Sequence, residues 1–142
     1  MCFYKSEETK HNIADKDIVC YKVMHLVDDN SVESFVFPEG KTYKCGDVMI
    51  PSEHCDVAEI DSSNYVKGGV IYSYKSYRDV TDYIALLSLC KLERPIALVK
   101  CEIPAGTVFW RNKRNWLISE KLVIKSILER HTTKFIYHCQ NK

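Results

Sequence analysis

Residues 67–83 place a glycine pair, a short aromatic strand and a capped helix in immediate succession. Gly68 and Gly69 permit a positive φ angle or a close approach of two backbones. The β-branched and aromatic residues at 70–74 favour an extended strand. This segment predicts a chain that turns, extends and then enters a helix.

The start of that helix has its own signal. Ser76 is followed three residues later by Asp79, which is the spacing of a capping box. Apolar residues then recur at the i, i+3, i+4 and i+7 spacing of a buried helical stripe. The sequence predicts a helix over 77–90 with this stripe at Val80, Tyr83, Ile84 and Leu87.

Length and composition indicate one folded domain over 1–142, with an irregular N-terminal arm over 1–16. Hydrophobic residues make up 46% of the chain and charged residues 27%, values typical of globular proteins. The formal net charge is only +1, so no strong field favours a polyanion, and nucleic acid is not favoured as a partner.

The longest uncharged apolar run, 83–90, is far shorter than the ~20 residues that cross a bilayer, and the N-terminus lacks the apolar core of a signal peptide. We therefore expect no membrane partner and a cytoplasmic location. The seven cysteines have wide spacing and contain no C-x-x-C motif, so we expect reduced thiols and no native disulfide.

Alternating apolar residues and turn signals predict about seven strands with the one main helix. Together they indicate an α+β fold with a mostly antiparallel sheet. Residues 46–64 are expected to be mostly irregular, and a polar turn is expected at 129–132. The predicted extended segments are 17–27, 34–37, 42–45, 70–74, 96–103, 108–110, 116–127 and 133–139.

The glycine and tyrosine segment also offers a ligand-binding chemistry. The amides around Gly69 can approach phosphates, and Tyr72, Tyr74 and Tyr77 provide rings for stacking and hydroxyls for hydrogen bonds. The alternative is purely structural, because a glycine pair turns the chain and tyrosines suit a half-exposed strand. No phosphate-binding loop of the G-x-x-x-x-G-K-[ST] type is present.

Two stretches resemble motifs of the ADP-ribosyltransferases. Residues 69–73 (Gly-Val-Ile-Tyr-Ser) with 76–83 are similar to a motif in which a glycine leads into a strand with an aromatic residue and a serine, then a helix ending in tyrosine. In that family the tyrosines flank nicotinamide. Residues 99–107 resemble the strand and Pro-x-Gly-Thr turn before the last catalytic strand. The resemblance implies Glu120 as the catalytic residue of an enzyme, with NAD as its cofactor.

One part of the family pattern differs. The strand expected to supply an arginine or histidine for the cofactor corresponds to residues 19–25, Val-Cys-Tyr-Lys-Val-Met-His. Only Lys22 or His25 can take that role here. This departure favours binding of a nucleotide over its turnover.

Residues 1–127 also resemble a family of uncharacterised small proteins of gut bacteria and their phages. The resemblance rests on the opening Met-Cys-Phe-Tyr-Lys, on residues 17–23 and 40–43, on the glycine and aromatic segment, and on residues 103–107. It implies a shared fold and a mobile-element context, with no activity attached.

A basic segment over 110–116 is the second candidate site. It interleaves cations with two tryptophans, a composition that grips phosphates or anchors a protein partner, although a solvated hairpin tip has the same composition. Its candidate residues are Trp110, Arg111, Lys113, Arg114 and Trp116. No metal site is predicted, because His54 with Cys55 and His138 with Cys139 are adjacent pairs whose side chains diverge on a strand.

Three functional hypotheses follow. The first is a small, phage-encoded, non-catalytic protein that binds an NAD-derived or cyclic signalling nucleotide in counter-defence, without a cofactor. The second is an ADP-ribosyltransferase-like enzyme that uses Glu120. The third is an inhibitor that docks on a host enzyme through the 110–116 segment, the 46–64 segment or a sheet edge. The ligand-binding residues predicted for the first are Lys22, Gly69, Tyr72, Ser73, Tyr77 and Tyr83.

Overall fold

The computed structural model describes residues 12–34, 41–50, 71–87, 94–111 and 116–131. Within these ranges the chain forms ten strands and one helix. In order they are β1 (Asn12–Ile13), β2 (Ile18–Asp28), β3 (Ser31–Glu33), β4 (Thr42–Tyr43), β5 (Val48–Met49), β6 (Ile71–Tyr74), α1 (Tyr77–Leu87), β7 (Ile96–Ile103), β8 (Val108–Arg111), β9 (Trp116–Ser119) and β10 (Leu122–His131). Sequence-based predictions for 1–11, 35–40, 51–70, 88–93, 112–115 and 132–142 lie outside the described residues.

All the described strands belong to one sheet, whose order is β1-β8-β9-β6-β2-β7-β10-β5. β3 pairs with β2, and β4 pairs with β3. Every ladder is antiparallel. The expected α+β fold with a mostly antiparallel sheet is therefore confirmed, but the described residues contain ten strands where about seven were expected.

The predicted strand over 116–127 is wrong in its extent, because residues 120 and 121 interrupt it and separate β9 from β10. The amide of Glu120 donates to the carbonyl of Val108 at 3.1 Å, and the hydroxyl of Ser119 donates to the carbonyl of Lys121 at 3.0 Å. The first bond extends the pairing of β9 with β8 by one residue, and the second is a local contact at the interruption, which falls in the polar stretch 119–121, where no glycine or proline is present.

The turn predicted at 129–132 is also wrong over its described part. Glu129, Arg130 and His131 continue β10 and pair with Leu98, Ala97 and Ile96 of β7. The ladder contains two irregularities, between Ile124 and Ser126 and between Ile127 and Glu129. Tertiary pairing with β7 therefore outweighs the turn preference of this polar stretch.

Two smaller boundaries differ as well. A strand was predicted over 34–37, whereas β3 begins at Ser31 and ends at Glu33, before that predicted start. The segment expected to be irregular from residue 46 contains β5, which pairs Val48 and Met49 with β10. Both strands are too short to give a period-two signal in the sequence.

Helix α1 begins as predicted. The amide of Asp79 donates to the hydroxyl of Ser76 at 3.0 Å, which is the N-cap bond of a capping box. Val80 and Ile84 are buried, and the other two residues of the expected stripe, Tyr83 and Leu87, pack against the same cluster while half-buried.

The Pro-x-Gly-Thr sequence over 104–107 forms a tight turn. Gly106 has a φ of 87°, a conformation that L side chains rarely adopt, and the amide of Thr107 donates to the carbonyl of Pro104 at 3.1 Å. This is the pattern of a type II turn with glycine at its third position. The turn brings the chain back from β7 into β8.

The sheet has apolar residues on both faces. Along β2, Cys20 and Met24 point to one face, while Tyr21 and Val23 point to the other, because successive side chains of a strand alternate. We call the first the inner face, whose cluster includes residues of β7, β9 and β10. The second is the helix face, where α1 packs. The described residues contain no helix with the length and apolar character that crossing a bilayer requires.

Candidate functional site

The sheet is narrowly joined where β2 meets β6. Only Tyr21 and Tyr74 pair across this boundary within the described residues. Farther along, the same edge of β2 pairs with β3, from His25 onward. Between Tyr21 and His25, no described strand pairs with this edge of β2. We call this gap, with the residues that line it, the β2–β6 junction.

Lys22 lies in this junction. Its ammonium group donates a hydrogen bond of 2.7 Å to the main-chain carbonyl of Tyr72. Strand alternation places its side chain on the inner face with Cys20, and the thiols of Cys20 and Cys101 are close enough to interact with it electrostatically. A lysine side chain thus bridges two strands whose backbones have separated.

The environment of Lys22 is unfavourable for its charge. The residue as a whole is half-buried, but its amine end is packed deeply enough that desolvation lowers the Lys22 pKa below its ordinary value. No described carboxylate forms an ion pair with it. An ammonium group has three donors, and the carbonyl of Tyr72 accepts one of them.

Ser73 lies beside Lys22 on the inner face. The pairing of Tyr21 with Tyr74 places Ser73 next to Lys22 across the junction. Ser73 is only 1% exposed, its hydroxyl faces the thiol of Cys20, and no described oxygen or nitrogen atom completes a hydrogen bond to it. A buried hydroxyl without such a partner is unusual and costly, which makes it a candidate ligand contact.

The thiols next to this hydroxyl are held in their protonated form. Burial raises the pKa of Cys20 to about 12, although Ser73 and Lys22 act in the opposite direction. Burial also raises the pKa of Cys101. The inner side of the junction therefore combines one desolvated cation, one buried hydroxyl that faces the Cys20 thiol, and two protonated thiols.

The helix side of the junction is aromatic. The rings of Tyr21 and Tyr77 meet edge-on with centroids 5.8 Å apart, and Tyr74 lies 5.8 Å from Tyr83. The ring of Trp116 meets Tyr74 edge-on at 6.3 Å. Tyr77 is 46% exposed, and its hydroxyl donates to a carboxylate oxygen of Glu129. This side offers ring surface together with a phenol that is already hydrogen-bonded.

The predicted ligand-binding residues thus occupy both sides of the junction. Lys22 and Ser73 share the inner face. The rings of Tyr77 and Tyr83 belong to the helix face, and the ring of Tyr72 packs there against the cluster of Trp110 and Ile118. Tyr72 contacts Lys22 through its main-chain carbonyl and not through its ring. The predicted position Gly69 lies outside the described residues.

The basic segment is less exposed than the sequence indicates. Trp110 is 3% exposed and packs against Ile118. The sequence predicted a ring that contacts a partner, but this ring is buried within the protein. Its position on the helix face of β8 explains this, since the neighbouring Arg111 points the other way and is exposed. Trp116 is half-buried. Lys113 and Arg114 lie outside the described residues.

Glu120, the residue that the enzyme hypothesis requires, follows β9 directly. It is half-buried and lies in the break before β10. Ile118, two residues earlier, pairs with Tyr72 of β6. The sheet therefore brings Glu120 to the same part of the molecule as the strand that accepts the hydrogen bond of Lys22.

One pair of residues was not foreseen as a pair. Cys20 of β2 and Cys101 of β7 are direct cross-strand partners on the inner face. The alternation of each strand already placed each cysteine on an apolar face, but the register that aligns them is not contained in either pattern. Among the described residues no group of three or more histidine, cysteine or acidic side chains is arranged to hold a metal ion.

Comparisons of the chain with protein-family models, with curated proteins and with solved structures give no match.

Proposed function

We propose that this protein binds a small phosphate-containing nucleotide at the β2–β6 junction without turning it over. The ligand class is an NAD-derived or cyclic signalling nucleotide, and the place of action is the cytoplasm. The observation that carries the proposal is Lys22, a desolvated ammonium group whose described hydrogen-bond partner is one neutral carbonyl.

The electrostatics of the junction support an anionic ligand. A phosphate oxygen near Lys22 gains more from the cation than it would in water, because the interaction is stronger in a low-dielectric environment. Among the described residues no acceptor takes the other two ammonium donors of Lys22, and the hydroxyl of Ser73, which faces the Cys20 thiol, lies beside them. A bound anion also relieves the unfavourable desolvation of Lys22, since it stabilises the charged form of the amine.

The aromatic residues on the helix side support a ligand that also carries a base. The exposed ring of Tyr77 and the adjoining ring of Tyr21 provide a surface against which a flat heterocycle can pack. Tyr21 belongs to the pair that closes the junction, and Lys22 is the next residue on the strand. Because Tyr21 and Lys22 point to opposite faces of the sheet, a nucleotide that contacts both must pass through the gap between β2 and β6, with its base on the helix face and its phosphate on the inner face.

Calorimetry with NAD, ADP-ribose and cyclic nucleotides tests this proposal. We expect at least one ligand with a micromolar Kd, about −8 kcal/mol. Lys22→Met keeps the aliphatic stem but removes the charge, so it should weaken that binding at least tenfold, or about 1.4 kcal/mol. Lys75→Met is the matched control, because Lys75 is an exposed lysine just after β6.

Two results count against the proposal. One is the absence of any binding tighter than millimolar across the three ligand classes. The other is an equal loss of affinity in Lys22→Met and Lys75→Met, which would place the charge effect outside the junction. Melting temperatures of all variants show whether a loss of binding reflects a loss of folding.

The second candidate function is transfer of ADP-ribose, with NAD as the cofactor that donates it. The observation favouring it is the pairing of Ile118 with Tyr72, which brings Glu120 to the β6 strand next to the junction. Incubation with NAD should then release nicotinamide, and Glu120→Gln should abolish the release while NAD still binds. Binding of NAD without any nicotinamide release excludes this candidate and leaves the binding protein.

The third candidate function is inhibition of a host enzyme by direct binding. Of the basic segment, the described residues leave Arg111 exposed and Trp116 half-buried. Arg111→Ala should weaken capture of a host enzyme if this proposal holds. A protein that binds no nucleotide but retains one host enzyme through Arg111 would replace the first proposal with this one.

A further inference from the structure

Cys20 and Cys101 lie opposite each other in the centre of the sheet. They are register partners in the long ladder between β2 and β7, which runs without irregularity from Ile18 to His25. Both belong to the inner-face cluster, and both are free thiols with no exposed surface. Their side chains therefore leave adjacent strands in the same direction.

The backbone pattern gives their separation. The amide of Leu26 donates to the carbonyl of Pro95 at 2.9 Å, which makes this position one of the hydrogen-bonded pairs of the ladder. Hydrogen-bonded pairs recur at every second residue, so Cys20 with Cys101 is also of this type, with a Cα separation of about 5.5 Å. That separation lies within the range of roughly 4.4–6.8 Å that the Cα atoms of a disulfide span. The Cβ atoms of such a pair lie at the wider end of about 4.5–5.5 Å, so β2 and β7 must draw together locally by about 1 Å to reach the roughly 3.5–4.5 Å of a disulfide.

The surroundings bear on how the thiols react. The ammonium group of Lys22 and the hydroxyl of Ser73 both favour the thiolate of Cys20, which is the nucleophilic form. Burial acts against the thiolate and slows the approach of an oxidant. A small neutral oxidant therefore has the best access, and the reaction is expected to be slow.

We propose that Cys20 and Cys101 form a redox couple that a peroxide oxidises to a cross-strand disulfide. The Cys20 thiolate attacks one peroxide oxygen and breaks the O–O bond, which leaves Cys20 as a sulfenic acid and releases hydroxide. The Cys101 thiolate then attacks the Cys20 sulfur and displaces a second hydroxide as the S–S bond forms. The two thiol protons and the two hydroxides end as two waters, so peroxide is reduced as the dithiol is oxidised.

This inference is independent of the nucleotide proposal. It also agrees with a protein that is isolated with free thiols, because the disulfide requires an added oxidant. The new bond would tie β2 to β7 two residues from Lys22, in the middle of the sheet.

The test uses the full chain, purified under reducing conditions and then freed of reductant. After treatment with hydrogen peroxide and removal of the excess, the protein is unfolded in an alkylating reagent and mapped by mass spectrometry. We expect a cross-linked peptide pair containing Cys20 and Cys101, lighter by two hydrogen atoms than the reduced pair, and lost again on treatment with dithiothreitol.

Matched variants identify the residues responsible. Cys45→Ser removes an exposed thiol and should leave the cross-link unchanged. Cys101→Ser and Cys101→Ala should each remove it, and two replacements are used so that one folded variant is retained. Lys22→Met should slow formation of the cross-link severalfold, because it removes the charge that favours the thiolate.

Unfolding in urea provides a second readout. The oxidised wild type should unfold at a higher urea concentration than the reduced wild type, and Cys101→Ala should show no such shift. Recovery of Cys20 and Cys101 as free thiols after prolonged peroxide treatment overturns the proposal. Exclusive cross-linking of either cysteine to a different residue also overturns it.

Discussion

Lys22 is a half-buried cation at the β2–β6 junction. Its amine is desolvated on the inner face. Among the described residues, the contact that offsets this desolvation is a hydrogen bond to the neutral carbonyl of Tyr72. Such a group destabilises the folded state when it is charged, because the unfolded chain solvates the charge fully. The junction therefore holds a cation at a cost in stability, which is an arrangement expected of a binding site.

The first prediction at this scale concerns pH. The folded-state pKa of Lys22 lies below its ordinary value of 10.5, so the unfolded chain binds more protons between those two values. The free energy of unfolding of the wild type should then rise with pH relative to Lys22→Met, and should level off above 10.5. Urea denaturation of both proteins from neutral pH to that value measures the difference.

Cys20 and Cys101 are present in both proteins, so their own titration largely cancels in that comparison. The sign for the thiols is opposite, because their raised pKa values make the folded state lose stability as pH rises above 9.0. A difference between wild type and Lys22→Met that is flat or falls over the range would show that Lys22 is solvated in the folded state.

The candidate site could be predicted only in part at the level of residues. Lys22 and Ser73 were chosen from motif positions, and the structure places them side by side at the junction. The pairing of Cys20 with Cys101 could not be predicted, because cross-strand register depends on how two distant segments of the chain align. The burial of Trp110 does not follow from the sequence, because the polar residues that come after it indicate an exposed tip, whereas its neighbour in space is the buried Ile118.

At the scale of elements, helix α1 shows the strongest agreement between sequence and structure. Its N-cap, its period and its buried positions are all local features, and local features are what a sequence pattern encodes. The helix covers the aromatic cluster on one face of the sheet. The stability of this packing can be tested within the helix itself.

Ile84→Ala and Leu86→Ala form a matched pair on α1. Ile84 is 8% exposed, so its truncation should lower the free energy of unfolding by about 2–5 kcal/mol, as expected for a buried aliphatic side chain. Leu86 is 63% exposed, and its truncation should change stability by less than about 0.5 kcal/mol. Chemical denaturation measures both. Equal losses in the two variants would mean that the helix packs through a different face.

The strands show why their boundaries were harder to predict than the helix. The strand predicted over 116–127 contains the polar stretch 119–121, and the structure shows that β9 ends at Ser119 and β10 begins at Leu122. The polar residues at the end of β10 have the composition of a turn, but pairing with β7 keeps them extended. At the end of β10, pairing across the sheet overrode a local turn preference.

At the scale of the whole molecule, the described sheet consists of two parts. β1, β8, β9 and β6 form one part, and β2, β7, β10 and β5, with β3 and β4, form the other. Tyr21 with Tyr74 is the one described backbone pair between them. The inner-face cluster spans both parts, so side-chain packing rather than backbone pairing holds them together.

This architecture predicts two levels of protection in native-state hydrogen exchange. The amides of Val99 and Cys101 lie in β7, which is paired on both sides, and should exchange slowest, near the limit set by global unfolding. The amides of β8 and β9 should exchange faster, because their part of the sheet can separate at the junction without breaking the β2–β7–β10 ladders. Amide-resolved exchange measured by NMR at several urea concentrations distinguishes the two classes.

Tyr74→Ala sharpens this prediction, because Tyr74 belongs to the joining pair and packs against Tyr83 and Trp116. Relative to the global unfolding limit of the same variant, it should lower protection in β6, β8 and β9 more than in β7. Tyr77→Ala is the control, since Tyr77 is also a tyrosine of the aromatic cluster but is 46% exposed and lies outside the pair. If all the strands instead exchange with one common free energy in wild type and in Tyr74→Ala, the sheet opens as a single cooperative unit and the junction is not a point of separation.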